Sequence, residues 1–501
     1  MNGRCATLPR VSAAAQPPRS IGAAGPQSGL TADEVAAIVG GRLLHRSVRT
    51  IRGAAVDSRV VEPDQLFVAL PGEHTDGHAF LGDAAGAGAA AVLVTRPPAD
   101  PEALGDVAIV LVDDALRALQ ALAAAWRRRF EPLVVGITGS IAKTSTKEAV
   151  ATVLARRFRT LKSEGNQNNE IGLPLTVLRL GPEHEAAVLE MGMYVGGEIR
   201  DLARIGQPRI GIVTAVQPVH LSRIGSLDAV EDAKAELVEE LPAAHEGGVA
   251  ILNADDERAR RMAGRTLARP VTYGFSPDAD VHADDVTSAG TDGMRFTLAA
   301  AGVRQPVAVP ALGRLAVHNG LAAAAVGLEA GLGVDEIAAG LAAGWSAPHR
   351  AELHIAGGVT IVDDSYNASP GSVVAALELL GGLPGRRIAV LGEMLELGET
   401  HEEGHERVGR AAAEIVDGLV VVGAGATGIA RGAQEAGLPS DALAIAADRE
   451  AALSVLRERL APGDVVLVKA SRGIELDLLV DTLRAELAAG TAGPPGGSAG
   501  R

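Results

Sequence analysis

A chain of 501 residues is too long for one hydrophobic core, and at about 150 residues per domain it predicts about three domains. With 47% hydrophobic but only 2% aromatic residues, its cores must be built from Ala, Val, Leu and Ile, and no apolar run approaches the ~20 residues of a membrane span. The net charge of −16 disfavours nucleic acid as a partner, and the single cysteine, Cys5, excludes an internal disulfide framework and cysteine-ligated zinc. A reducing cytoplasm fits this usage. Residues 1–28, rich in Ala, Pro and Gly and without an apolar stretch, read as a disordered tail and not as a signal peptide. Thr31-Ala-Asp-Glu34 is a capping box that opens a short helix. The strand-like runs TIRGAAVDSR and QLFVALPG follow, then HAFLGDAAGAGAAAVLVTR repeats the helix-to-strand rhythm, giving a small α/β domain over residues 29–115. The amphipathic ALRALQALAAAWRRRF leads into a second unit, residues 116–345, where AAVLEMGM, RIGIVTAV and GGVAILNADD alternate with helices. That alternation predicts a mostly parallel sheet covered on both faces. Residues 346–488 repeat it with VTIVDDSYN, RRIAVLGEM, GLVVVGAG, ALAIAA and DVVLVKAS, a Rossmann-like doubly wound domain, and residues 489–501 read as a flexible tail. The predicted fold class is α/β in three domains.

The most informative stretch is VVGITGSIAKTSTKEAV, residues 134–150, a strand that runs into a glycine-bearing turn and a helix. Gly136 and Gly139 permit a tight turn, and Lys143-Thr144 open a helix whose free N–H groups favour anions. Lys143 would reach the outer phosphates of a nucleotide and the Thr144 hydroxyl would meet Mg²⁺. The usual spacing asks for glycines at 137 and 142, where this chain has Ile137 and Ala142. An ordinary strand–turn–helix is the competing reading. Three polar residues fall near strand ends or on the following helix. Glu190 closes AAVLE, His220 follows RIGIVTAVQPV, and Lys234 lies in SLDAVEDAKAEL. A strand-end carboxylate beside a phosphate cradle suits Mg²⁺, and an imidazole can be a second ligand. Taken singly, each reads equally as a solvated or capping residue, and Lys234 as a helix-surface partner of Glu231 or Asp232. Two further motifs are weaker. His401-Glu402-Glu403-Gly404-His405 has the spacing of a helical zinc pair, but Gly404 interrupts the helix and no third ligand is evident. Gly423-Ala-Gly425-Ala-Thr-Gly428 fits a dinucleotide fingerprint, with close helix–strand packing as the alternative.

GITGSIAKTSTKE, SEGNQNNEIGLPLTVLRL, VLEMG, PVHLSRIGSLDAVEDAKAEL, ILNADD, PHRAEL, DDSYNASPGSV, LGEMLELGETHEEGH and VLVKASRG occur in one order, and with them the chain resembles the Mur ligases of peptidoglycan synthesis over roughly residues 29–488. DDSYNASP and LGEMLELGE look like the branch that joins D-alanyl-D-alanine to UDP-N-acetylmuramoyl-tripeptide, and no D-N-P-R signature of the sister branch is present. VDSRVVEPDQLFVALPGEHTDGHAF is similar to the UDP-substrate domain and implies that Asp57, Ser58 and Arg59 contact that substrate. The resemblance implies ATP and Mg²⁺ as cofactors, an acyl-phosphate intermediate, and a cytoplasmic enzyme, expected as a monomer. By the same resemblance Gly139, Ser140, Ala142, Lys143 and Thr144 hold ATP phosphates, and Asn319 lies near adenine. Arg350 and Asp364 would close over ATP from the third domain across a hinge near Trp345 to Pro348. Thr144, Glu190 and His220 would bind metal, together with Lys234, the position that related ligases carbamylate. Asn168, Asn169 and Asn367 would face substrate. The chain departs from the family at Ala142, at Ala215, and at Gly313–Gly320, where only Asn319 of the usual asparagine pair survives. A related ligase with another acceptor, or a non-catalytic UDP-sugar-peptide binding protein, remains the alternative expectation.

Overall fold

The computed structural model describes residues 29–72, 75–218 and 221–491. The expected tail at 1–28, residues 492–501 of the expected tail 489–501, and His220 lie outside the described residues. The first sheet has five strands in the order Arg42–His45, Ala108–Leu111, Ala91–Val94, Leu66–Val68, Ala54–Ala55. Its strands are parallel except that Arg42–His45 runs antiparallel to Ala108–Leu111. The stretch TIRGAAVDSR forms only the two-residue strand Ala54–Ala55, because Asp57 then accepts from the Arg59 N–H and starts the 3-10 turn Ser58–Val60.

The second sheet has nine strands, in the order Val303–Val309, Met294–Ala300, Val281–Ser288, Arg269–Gly274, Val249–Asn253, Ile210–Val213, Leu133–Thr138, Ala186–Glu190, Thr160–Lys162. Only the pairings that involve Met294–Ala300 are antiparallel. Val134, Val135 and Ile137 are all fully buried, as a parallel strand covered on both faces requires. Each such side chain contributes about 1.5–3 kcal/mol by leaving water. Helix Gly313–Glu329, with Ala322 to Ala325 buried, packs on helix Lys143–Leu154. Small residues permit the approach, since a Cβ at Gly327 would lie 3.0 Å from Val153 Cγ1. The chain leaves strand Leu133–Thr138 toward one edge of the sheet and later returns to fill its other side with Ile210–Val213. That reversal opens a crevice at the carboxyl ends of these strands, where α/β sheets bind their ligands.

The third sheet has six strands, ordered Glu352–Ala356, Val359–Asp363, Asp464–Lys469, Arg386–Gly392, Gly418–Val422, Leu443–Ala446, and is parallel apart from the first hairpin. Helix Leu476–Thr491 runs past residue 488, so residues 489–491 are helical and not tail. Its Leu479, Val480 and Leu483 pack into the core formed with Val466 and Val468, which holds the helix in place.

Candidate active site

Gly139 follows the central strand with φ +150°, and a Cβ there would fall 1.8 Å from Thr214 Oγ1, so only glycine fits. The loop is fastened to the next strand end. Thr214 Oγ1 donates to the Ile141 carbonyl at 2.6 Å, the Ser140 N–H to the Ala215 carbonyl at 2.8 Å, and the Gln217 N–H to Ser140 Oγ at 2.8 Å. Ala142 takes a left-handed conformation, φ 65° and ψ 1°, immediately before helix Lys143–Leu154. The position therefore has the backbone of a glycine and the side chain of an alanine. No side chain caps this helix, so its first N–H groups remain available to an anion. Lys143 folds back and donates to the Gly139 carbonyl at 2.8 Å. Burial lowers its pKa, Glu190 opposes that shift, and the Arg350 charge adds to it.

Glu190 is buried at the end of its strand. Its Oε1 accepts from Thr144 Oγ1 at 3.2 Å and from Asn168 Nδ2 at 2.8 Å. Its Oε2 is buried without a hydrogen-bond partner among the described residues. Lys147 Nζ lies 3.9 Å from that oxygen and 3.2 Å from Glu148 Oε1, and donates to the Gly165 carbonyl at 3.1 Å. Lys147 is fully buried. Lys234 is also buried, and its pKa falls well below the usual value through desolvation first and the Lys143 charge second. The partners that helix spacing offers it are taken: Glu231 pairs with Arg258 and Arg261, and Asp232 with Arg265. Lys234 has no ion pair among the described residues, so the surface reading fails.

A cavity of about 1160 Å³ runs from Ser140, Ala142 and Lys143 past Asn319 to Arg350, Asp364 and Asn367. A smaller one, of about 270 Å³, adjoins it and is lined by Lys143, Asn168, Asn169, Glu190, Arg350 and Asn367, among others. The structure thus gathers these residues into one cleft between the second and third sheets. Asn319 Oδ1 accepts from Thr146 Oγ1 at 2.9 Å, which ties its helix to the cradle helix. Asn169 Oδ1 accepts from the Gly172 N–H at 2.9 Å, and Asn367 Oδ1 from the Ala368 N–H at 2.9 Å, leaving their amide nitrogens for other partners. Asp364 is held by Lys469 Nζ at 2.6 Å, and Lys469 also donates to the Asn367 carbonyl at 2.8 Å. The Arg350 guanidinium stacks over the Tyr366 ring at 4.2 Å. Asp57, Ser58 and Arg59 line neither cavity. Asp57 and Arg59 pair with each other at 2.6 Å, and that contact holds the Asp57 pKa down at about 2.

Sequence reasoning missed Lys147, Tyr366, Lys469 and Arg472. Lys147 lies one turn beyond Lys143, and Lys469 ends a strand at the carboxyl edge, so period and position were the available signals. The two weaker motifs are structural. Buried His405 donates from Nδ1 to the His401 carbonyl at 2.7 Å and accepts the Met394 N–H at Nε2 at 2.9 Å, which leaves no nitrogen for zinc. Local structure explains the glycine run: a Cβ at Gly428 would lie 2.9 Å from His405 Cβ on the packed helix, one at Gly425 would lie 2.1 Å from the Glu393 carboxyl carbon, and Gly423 turns the chain at φ +91°.

The chain matches the Mur ligase middle domain over residues 137–327, the Mur ligase glutamate ligase domain over 349–472, and the Mur ligase family catalytic domain over 50–127. It is 39% identical to the UDP-N-acetylmuramoyl-tripeptide–D-alanyl-D-alanine ligase of Mycobacterium tuberculosis, across 93% of this chain and 99% of that one. The Bacillus subtilis ligase of the same name is 36% identical, across 90% and 98%. Among solved structures, MurF from Acinetobacter baumannii superposes with a TM-score of 0.82 at 28% identity, covering 91% of this chain and 99% of that one. MurF ligase from Thermotoga maritima in complex with ADP gives 0.76 at 29% identity, covering 87% and 98%. The three matched segments together span most of the sequence, and the chain belongs to the Mur ligase family.

Proposed function

We propose that this chain is the ATP-dependent ligase that joins D-alanyl-D-alanine to UDP-N-acetylmuramoyl-tripeptide, acting as a cytoplasmic monomer in peptidoglycan precursor synthesis. Its domains on this reading are residues 29–115 for the UDP substrate, 116–345 for ATP, and 346–488 for closure and acceptor. The tripeptide's terminal carboxylate attacks the γ-phosphorus of ATP, ADP leaves, and an acyl phosphate forms. The dipeptide amine then attacks the acyl carbon, loses a proton, and phosphate departs as the C–N bond is completed. The observation that carries the reading is a pair of adjoining cavities: residues 140–143, Arg350 and Asp364 line the larger one, and Lys143 and Arg350 also line the smaller one with Glu190.

Three anionic groups have to meet there, so positioned cations supply most of the catalysis. Lys143 and Arg350 serve the phosphates, and the uncapped helix start adds its N–H groups. Asn168 and Asn169 face the tripeptide, with Asn367 on the third-sheet side, and Asn319 sits by the base. Thr144 and Glu190 fit a divalent cation: both offer hard oxygen, and Glu190 Oε2 is buried without a hydrogen-bond partner among the described residues. Mg²⁺ held there, with His220 and Lys234 as further ligands, would neutralise phosphate charge. Lys234 suits carbamylation on physical grounds. Burial and the Lys143 charge push the Lys234 pKa well below its usual value and so favour the neutral amine, the form that adds to CO₂ and releases a proton to become a metal-binding anion.

The test is phosphate release with UDP-N-acetylmuramoyl-tripeptide, D-alanyl-D-alanine, ATP and Mg²⁺. Release that depends on the dipeptide is expected. Release that depends instead on a single amino acid would make the chain a ligase with another acceptor, and no release with either would refute ligation.

A further inference from the structure

Three cationic side chains line the smaller cavity, Lys143, Arg350 and Arg472, and the reaction as proposed uses only the first two. Arg472 opens the turn Arg472–Ile474 just beyond the strand Asp464–Lys469, at the carboxyl edge of the third sheet. Its backbone is fixed by buried Ser471, whose N–H donates to the Glu393 carbonyl at 3.0 Å and whose Oγ accepts from the Leu395 N–H at 2.9 Å. One guanidinium edge is held by Asp477, Nη1 donating to Oδ2 at 2.8 Å. Its Nε and Nη2 protons have no hydrogen-bond partner among the described residues, and the side chain is 59% exposed beside the cleft.

Resting on the proposed ligation, we propose that Arg472 binds the C-terminal carboxylate of the dipeptide acceptor. The acceptor carries a nucleophilic amine at one end and a permanent negative charge at the other. The cleft it enters is lined by Glu190, Glu198 and Asp201, so its carboxylate requires a cation that the phosphates do not occupy. Both arginines lie against one ring, Tyr366: Arg350 is 4.2 Å and Arg472 5.6 Å from its centroid. Sharing that ring, the two guanidinium carbons are within about 10 Å of each other. A two-residue acceptor spans at most ~7 Å from amine to carboxylate. It can therefore keep its carboxylate on Arg472 while its amine reaches an acyl phosphate held on the Arg350 side.

The experiment compares D-alanyl-D-alanine with its C-terminal amide in phosphate release by the full chain and by Arg472→Gln and Arg472→Lys. Wild type should favour the free acid over the amide, in KM, by roughly 10- to 100-fold, the range of a charge-assisted hydrogen bond. R472Q should raise the KM for the acid by a similar factor and erase the acid–amide difference, R472K should restore part of it, and KM for ATP should not move. Calorimetric binding of the UDP-substrate, unchanged in both variants, would show that they fold. An acid–amide preference that survives in R472Q, or a parallel rise in KM for ATP, overturns the assignment. Loss of all dipeptide-dependent release in the wild type would instead refute the ligation on which the assignment rests, and the assignment with it.

Discussion

Replacing Ala142 by glycine tests whether the cradle is strained at a residue that carries a Cβ on a left-handed backbone. The residue sits at φ 65° and ψ 1°, on the last step before helix Lys143–Leu154. For an L-residue with a Cβ that region costs about 1–2 kcal/mol, which glycine does not incur. Glycine in turn loses about 0.4–1 kcal/mol through the greater freedom of the unfolded chain. The difference is a stabilisation of about 0–1.5 kcal/mol. For a domain of this size that is a rise of at most ~5 °C in melting temperature. If all of it were expressed in nucleotide affinity, binding would tighten by no more than about tenfold. Thermal unfolding with and without ADP, and calorimetric titration with ADP, read the two quantities. Ala142→Gly should leave both equal to or better than wild type, and Ala142→Val should worsen both. A fall of several degrees, or weaker ADP binding in Ala142→Gly, would refute the strain and show that the loop has been rebuilt around the methyl group.

Lys143→Ala should abolish turnover and leave UDP-substrate binding intact by calorimetry; equal loss of both would make the lysine structural. Lys147→Met should lower stability to denaturant by about 3–5 kcal/mol, because it leaves Glu190 without its buried cation, whereas Glu148 keeps Lys162; an unchanged midpoint would contradict that pairing. Lys234→Ala should cost orders of magnitude in turnover without unfolding the protein, with partial recovery on adding small carboxylates, and near-normal turnover would exclude the carbamate. Burial holds the pKa of His405 below its usual value. The unfolded chain therefore takes up a proton below about pH 6.5 that the folded chain refuses, and stability is complete above that pH and declines as pH falls toward the folded value. Melting temperatures of wild type and His405→Gln across that range should show the steeper decline in wild type, and parallel curves would refute the assignment.

The fold was largely legible because its signals are local. Capping at Thr31, the apolar run at Val134 and Val135, and the strand–helix rhythm are each written within a dozen residues, and the three sheets form where that rhythm placed them. TIRGAAVDSR failed for an equally local reason. Asp57 turns the chain by accepting from the Arg59 backbone, and strand propensity yields to that bond. The antiparallel addition at Met294–Ala300 and Val303–Val309 went unread because alternation of strand and helix says nothing about where it stops.

The site divides in the same way. Lys143 and Thr144 were legible because a strand, a turn and a helix start adjoin in sequence. Asn319 was placed near adenine by resemblance, whereas its bond to Thr146 joins positions 173 residues apart, which no period predicts. Lys234 is the clearest case. Helix spacing pairs it with Glu231 or Asp232, but Arg258, Arg261 and Arg265 arrive from another segment and claim both carboxylates. That outer ladder leaves the inward lysine alone beside the Lys143 charge, buried and with a depressed pKa. Desolvating an ammonium without a partner is costly, so the arrangement favours chemistry that removes the positive charge. The surface arginines thus take the carboxylates that could have paired with Lys234, and burial with the Lys143 charge then favours the neutral amine that a carbamate requires.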